Sequence, residues 1–141
     1  METVYFENNF VTLYYDPSRR LGRAVWNGFL SGEAFRSNCI ISLRLVEDKN
    51  PLIWLADNRK MKAIRRNDQD WFQNEILPRL GSSSIRRMAA LVSEDLFNQM
   101  AVETLLTRGD HFIRFDHQFF KDEQQALHWL EAVKPAADLN E

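Results

Sequence analysis

Apolar residues form two kinds of pattern along the chain, short runs and stretches with helical spacing. Residues 3–6, 10–15 and 21–26 are short runs rich in β-branched and aromatic residues, and turn-forming Asn, Asp, Pro and Gly residues separate them. Such runs predict β-strands, and the short turns between them predict an antiparallel meander. We therefore expect the chain to begin with three antiparallel strands.

After residue 30, amphipathic stretches alternate with short apolar runs. In the first stretch Phe35, Cys39, Leu43 and Val46 recur at helical spacing, which places them on one face of a helix. Further helices are predicted from residue 67 to Pro78 or Gly81, at 93–109 and at 122–133, and strands at 51–56, 86–92 and 111–116. The order β-β-β-α-β-α-β-α-β-α implies an α/β fold, in which βα units with a largely parallel core follow the meander and helices pack on a mixed sheet.

Length and composition are those of one ordinary soluble domain. The 141 residues are 45% hydrophobic and 27% charged. We expect one domain at residues 1–133 and a polar C-terminal tail at 134–141. The net charge of −2 gives no general attraction to nucleic acid. Cys39 is the only cysteine, so an internal disulfide and a thiolate zinc cage are both excluded.

The sequence shows no targeting segment. Residues 1–10 include Glu2 and Glu7 and have no apolar core of the kind that signal peptides carry. No stretch approaches the roughly 18 apolar residues that a membrane-spanning helix needs. We therefore expect a cytoplasmic protein without stable membrane insertion.

The run at 51–56 ends in a polar cluster, Asp57, Asn58 and Arg59. A continuous apolar run suits a strand that is covered on both faces, and ligands of open α/β sheets gather beyond the carboxyl ends of such strands. We expect a loop here, and it is the first candidate for a binding or catalytic site. The alternative is structural, because Asp and Asn also form turns and caps.

A basic segment follows at residues 59–66, and its cations include Arg59, Lys60 and Lys62. Residues 59–66 hold five cations and no acid. Such a segment could bind a phosphate, a lipid head group or an acidic partner surface. The alternative is a solvated loop whose cations are balanced by nearby aspartates.

Catalytic and metal-binding signatures are absent from the sequence. His111 and His117 do not have a recognised metal-ligand spacing, and neither HExxH nor a Cys pair occurs. Phosphate-binding and nucleophile motifs of the forms GxxxxGK[ST], GxGxxG and GxSxG are also absent. We predict no metal site and no cofactor.

Four tryptophans stand out among the 17 aromatic residues. Trp26, Trp54, Trp71 and Trp129 fall in or beside predicted elements. Tryptophan is often found at pocket rims, so these residues could line an apolar cavity. The alternative is a core built of large rings.

The order and spacing of several motifs resemble the STAS-like superfamily. Its reference members are bacterial anti-sigma-factor antagonists with a SpoIIAA-like fold, and a broader bacterial STAS/SEC14-like group shares that fold. The resemblance is carried by residues 25–28, 52–59, Trp71, 87–92, 119–122 and 126–130. It implies a mixed sheet with helices on its faces, and SEC14-like relatives imply an apolar cavity. Anti-sigma-factor antagonists carry a phosphorylatable Ser or Thr in the loop that corresponds to residues 57–61, where this chain has no hydroxyl.

Three functions follow as hypotheses. The first is a non-enzymatic regulatory module that binds a protein partner through residues 57–66, without the phosphorylation switch. The alternative is a binder of a small apolar or anionic, lipid-like ligand in a cavity rimmed by tryptophans. The third is an enzyme that uses Asp57 as acid or base. A homodimer, formed through an exposed strand of the meander, is compatible with all three.

Overall fold

The protein's computed structural model describes residues 1–133, and the predicted tail at 134–141 lies outside the described residues. Six strands and five α-helical segments follow one another in the predicted order, and two of these segments, Arg66–Trp71 and Leu77–Gly81, lie where one helix was predicted. They are β1 (Thr3–Glu7), β2 (Val11–Asp16), β3 (Leu21–Gly28), α1 (Glu33–Lys49), β4 (Ile53–Met61), α2 (Arg66–Trp71), α3 (Leu77–Gly81), β5 (Arg87–Leu91), α4 (Leu96–Arg108), β6 (Asp116–Phe120) and α5 (Glu123–Glu131).

All six strands form one sheet, and their spatial order is the order of the sequence. The pairs β1–β2 and β2–β3 are antiparallel, whereas β3–β4, β4–β5 and β5–β6 are parallel. The predicted α/β class, with a meander followed by a parallel core, is confirmed. Strands β1 and β6 are the edges, so the meander does present an edge strand, and the homodimer stays a prediction.

The crossover helices lie on one face of the sheet. Each parallel crossover advances by one strand in the same direction, and right-handed crossovers in one direction place their helices on the same face. We call this the α1 face; its core joins Trp54 to Leu43 of α1 and Ala101 of α4. On the opposite α5 face, Leu55 packs with Leu130 of α5.

Strand β4 is longer than the sequence suggested. Residues 57–60, expected in a loop, belong to β4, which continues to Met61. A β-bulge in β4 lets the extended strand continue to pair with β3. Val25 aligns with Asp57 and Asn27 aligns with Lys60, so β4 has one more residue than β3 in this stretch. The hypothesis of a binding loop at residues 57–61 is therefore wrong in its local structure, because these side chains alternate between two sheet faces.

The sixth strand was predicted at 111–116 and lies at Asp116–Phe120 instead. Residues Asp110–Phe112 form a short 3-10 turn. This turn packs so closely on the end of α3 that a Cβ at Gly81 would overlap the carbonyl of Phe112. The backbone of this turn therefore packs against α3 rather than pairing with β5. Pairing with β5 begins only at Asp116, whose N–H donates to the carbonyl of Arg86 at 3.0 Å.

The helical stretch from Arg66 to Gly81 contains a π-helical turn at Phe72–Ile76, between α2 and α3. Pro78 lies two residues after this turn and has no N–H to donate to it. The helix nevertheless passes through Pro78 and ends at Gly81. Across residues 1–133, the helices are all too short or too polar to traverse a bilayer.

Candidate functional site

A row of three alanines crosses the α1 face of the sheet. Ala24 of β3 aligns with Ala56 of β4, which in turn aligns with Ala90 of β5. Because side chains on a strand alternate between faces, the neighbouring row on this face contains Trp54, and Trp26 stands on the other side of the alanines. The sheet therefore has a shallow depression between two large rings.

Gly22 fixes one wall of this depression. A Cβ at Gly22 would overlap the ring of Trp54, so the absence of a side chain on β3 lets the indole lie flat over the neighbouring strand. Trp54 is 7% exposed and Trp26 is 9% exposed. Both rings are therefore held within the protein, and both line the space above the alanines.

The helices do not fill this space. A cavity of about 130 Å³ remains between the alanine row and α1, the π turn, α3 and α4. Its walls are almost entirely apolar. The side chains lining it include Trp26, Phe35, Cys39, Leu43, Val46, Trp54, Asn58, Met61, Ile64, Phe72, Ile76, Leu77, Leu80, Met88, Val102, Leu105, Leu106 and Phe115.

Cys39 is part of the apolar wall. It is 4% exposed, and burial raises the pKa of its thiol well above the ordinary range. A thiol that stays protonated is a weak nucleophile, so Cys39 contributes packing rather than covalent chemistry.

The other two tryptophans lie away from the cavity. Trp71 packs edge-on against Phe35, with ring centroids 6.3 Å apart, and the guanidinium of Arg36 lies 5.4 Å from its ring. Trp129 is on the α5 face beneath Arg87. The structure thus brings Trp26 and Trp54 together around one cavity, whereas Trp71 forms part of the outer wall behind Phe35.

Asp57 and Arg59 form an ion pair on the α5 face. Arg59 donates to both carboxylate oxygens of Asp57, at 3.0 and 2.8 Å, and its guanidinium also reaches Glu123 of α5 at 3.1 Å. Burial opposes the charge on Asp57, but the hydrogen bonds from Arg59 outweigh it and lower the pKa of the carboxyl. The hydrogen bond to Asp57 raises the pKa of Arg59.

This pairing bears on the predicted chemistry of both residues. A carboxylate that is ionised and held by an arginine makes a poor general base at neutral pH, because its pKa is moved away from the working range. The positive charge of Arg59 is likewise shared between two carboxylates. Within residues 1–133, no group of three or more His, Cys, Asp or Glu side chains is placed to hold a metal ion.

Asn58 points to the opposite face and lines the cavity. It is 7% exposed, and no hydrogen bond between described residues involves its side chain. The two residues that the sequence presented as a pair, Asp57 and Asn58, are therefore separated by the sheet. Only Asn58 is available to a molecule in the cavity.

Lys60 and Lys62 are exposed at the carboxyl end of β4. Neither takes part in an ion pair within the described part of the chain, whereas Arg66 pairs with Asp70. Next to them, α4 begins with three side chains that are each more than half exposed, Leu96, Phe97 and Met100.

Sequence reasoning missed the alanine row and the exposed start of α4. The alanines could have been found in the alternation of the strands, which read Gly22-Arg23-Ala24-Val25-Trp26 and Trp54-Leu55-Ala56. Small residues at every second position, bounded by tryptophan, indicate a space on one face. What the sequence alone does not give is the register that aligns them.

Comparisons with known proteins identify the fold and leave the activity open. No protein-family model and no curated protein sequence matches this chain. The structure is similar to the crystal structure of an uncharacterized protein from Shewanella loihica PV-4, which belongs to the DUF3478 family and is described as having a SpoIIAA-like fold. The similarity covers 92% of each chain, with a TM-score of 0.52 and 16% identity. The chain therefore has the SpoIIAA-like fold that its motifs implied.

Proposed function

We propose that the protein binds a small apolar ligand in the cavity between the alanine row and the helices. The observation that carries this proposal is a cavity of about 130 Å³ whose walls are nearly all apolar side chains. Cores are normally packed to crystal-like density, and an empty cavity costs about 24 cal/mol per Å³. Left empty, this one would cost on the order of 3 kcal/mol, which an occupant would recover.

The size of the cavity limits the ligand. An engineered apolar cavity of about 150 Å³ in another protein binds benzene and stays dry without it. The cavity here therefore suits a single ring or a short alkyl chain. A longer lipid-like chain would need α4 or the π turn to move outward. A π turn is a common irregularity at binding sites, and Phe72 and Ile76 of this turn line the cavity.

Native mass spectrometry of the protein purified gently from its own host is the direct test. A small mass that stays with the folded protein and leaves on denaturation is the expected result. Toluene should also shift the fluorescence of the tryptophans, because Trp26 and Trp54 border the cavity. A protein with no added mass and no response to toluene would contradict the proposal.

A cavity-filling variant separates binding in the cavity from binding elsewhere. Ala56→Leu places a larger side chain in the middle of the alanine row and should abolish the response to toluene. Ala34→Leu adds the same side chain on α1 outside the cavity lining, and should leave the response unchanged. Equal binding by both variants would place the ligand somewhere other than this cavity.

A second candidate is a regulatory protein partner, and the exposed start of α4 favours it. Leu96, Phe97 and Met100 form an apolar patch, and Phe29 is half exposed at the end of β3. Hydrogen bonds to the backbone of Lys62 bring these segments together, since its N–H donates to the Gly28 carbonyl and its carbonyl accepts from the side-chain amide of Asn98 in α4. Apolar side chains bordered by Lys60 and Lys62 suit a partner whose surface is apolar and acidic.

Partner capture from the host lysate tests this second function. The double variant Lys60→Glu, Lys62→Glu should lose the partner, because both lysines lie exposed beside the patch. Arg44→Glu is the matched control, since Arg44 is an exposed cation on α1 outside this surface. Arg59 is unsuitable for such a test, because its replacement would also break the pair with Asp57. Capture that survives the lysine changes would exclude this surface.

A further inference from the structure

A second, smaller space of about 50 Å³ adjoins the apolar cavity. The two spaces share Asn58, Ala90 and Val102 in their walls, so they lie next to each other. The walls of the smaller space are more polar, and they include Ser93 and Asn98 at the start of α4. A more polar space therefore lies beside the apolar cavity.

Asn98, which lines this polar space, has an unpaired acceptor. The residue is 1% exposed, and its side-chain N–H₂ donates to the carbonyl of Lys62 at 2.9 Å. Its Oδ1 is buried and has no partner among the described residues. The orientation of the amide is determined by its surroundings, because exchanging N and O would place an oxygen against the Lys62 carbonyl.

A buried acceptor without a hydrogen bond costs free energy, so it favours a neighbouring group that can donate one. Leaving a buried carbonyl oxygen without a hydrogen bond costs on the order of 1–3 kcal/mol. Only a group that donates a hydrogen bond relieves that cost. The side chain of Asn58 stands in the shared wall, and its carboxamide can both donate and accept.

We propose that the ligand has a ring-sized apolar body and a neutral head group that donates a hydrogen bond, such as a hydroxyl or a primary amide. The body occupies the apolar cavity, and the head donates to Oδ1 of Asn98 beside Asn58. This inference rests on the proposed ligand-binding function and adds the chemical class of the ligand.

The alternatives differ in head-group chemistry. An ionised carboxylate has no proton to donate, so it would bring a charge and a further acceptor to an acceptor. An ammonium group donates, but its charge would leave water for a space whose only acid, within the described residues, is the exposed Glu103. A hydrocarbon fits the cavity and leaves Asn98 unpaired.

A matched series of probes on the wild-type protein tests the inference. Toluene, benzyl alcohol, benzoate and benzylamine share one ring and differ in the head group. Affinities are measured by tryptophan fluorescence or calorimetry in sealed cells. Benzyl alcohol should bind about ten-fold more tightly than toluene, as expected for satisfying one buried acceptor, and benzoate and benzylamine should bind more weakly than benzyl alcohol.

The outcomes distinguish this inference from the proposed function. Binding of none of the four probes would overturn both. Equal affinity for toluene and benzyl alcohol would keep the cavity as a binding site and overturn the head-group assignment, since it would mean that the hydroxyl gains no hydrogen bond at Asn98. Tighter binding of benzoate or benzylamine would also overturn it.

The variant Asn98→Leu adds a test within one protein. Leucine is close to asparagine in shape but has no acceptor, so the preference for benzyl alcohol over toluene should fall to about one-fold. Comparing two probes on the same variant cancels any general change in stability that follows the lost bond to Lys62. A ten-fold preference that persists in Asn98→Leu would overturn the role of Asn98. The wild-type series decides the question if the variant does not fold.

Discussion

The two faces of strand β4 are packed differently. The α5 face is part of a filled core, whereas the α1 face borders a cavity. On the α5 face, Leu55 is fully buried against Leu130, and the strand then presents Asp57 to Arg59. On the α1 face, Trp54, Ala56 and Asn58 border a cavity. Residues adjacent in sequence therefore lie in a filled core and around an unfilled space, because side chains on a strand alternate between faces.

This difference identifies the face of the sheet on which a bound molecule has space. The α5 face is covered by a single helix, and Leu55, Ala89 and Leu91 are fully buried beneath it. The α1 face is covered by several helices that meet over a row of alanines. Three small side chains in register remove volume that the helices above do not replace.

The largest expected effect is on the filled face. Leu55→Ala removes a side chain that is fully buried in the α5-face core, and should lower the free energy of unfolding by about 3 kcal/mol. Urea denaturation followed by circular dichroism measures this. A loss below about 1 kcal/mol would mean that the α5 face is no better packed than the α1 face, and would break the comparison.

A pair of alanine substitutions tests the same contrast with identical chemistry. Ala89 is fully buried on the α5 face, so Ala89→Val should overpack that core and cost about 2 kcal/mol. Ala56 lines the cavity, so Ala56→Val should leave the free energy of unfolding unchanged or raise it. Urea midpoints of the two variants, measured side by side, give the comparison. Equal destabilisation by both changes would contradict an open cavity.

The fold was largely predictable from periodicity, and the exceptions have physical causes. Hydrophobic spacing and turn residues sufficed for the element order, as at Phe35, Cys39 and Leu43 of α1. The sixth strand was misplaced because its alternating pattern at 111–115 begins within a 3-10 turn that packs on Gly81. Local alternation does not reveal which backbone groups a distant helix end will occupy.

The candidate site was only partly predictable. Trp26 and Trp54 border the cavity and also belong to the buried core, so both interpretations that the sequence left open describe them in part. The unpaired Oδ1 of Asn98 could not be predicted, since it depends on α4 meeting the end of β4. The division of Asp57 from Asn58 depends on β4 continuing as a strand, which the polar sequence at 57–60 concealed.

The smallest expected effect comes from the ion pair on the α5 face, and it depends on pH. The folded-state pKa of Asp57 is below its ordinary value, so the folded protein holds this proton less tightly than the unfolded chain does. The stabilisation is therefore fully present above the unfolded pKa of about 3.9, and it is lost as the pH falls through the folded pKa. Asp57→Asn should cost about 1 kcal/mol at pH 7, because Arg59 is part-exposed and retains Glu123.

Urea unfolding of both proteins between pH 7 and pH 3 measures this dependence. The difference between wild type and Asp57→Asn should stay constant down to about pH 5 and shrink as the acid limit is approached. Asp110→Asn is the control, because Asp110 is exposed and forms no ion pair among the described residues. Its effect should stay within about 0.5 kcal/mol. If the difference for Asp57→Asn grew on acidification, burial rather than Arg59 would control the pKa of the Asp57 carboxyl. The α5 face, like the α1 face, would then contain a buried polar group without an adequate partner.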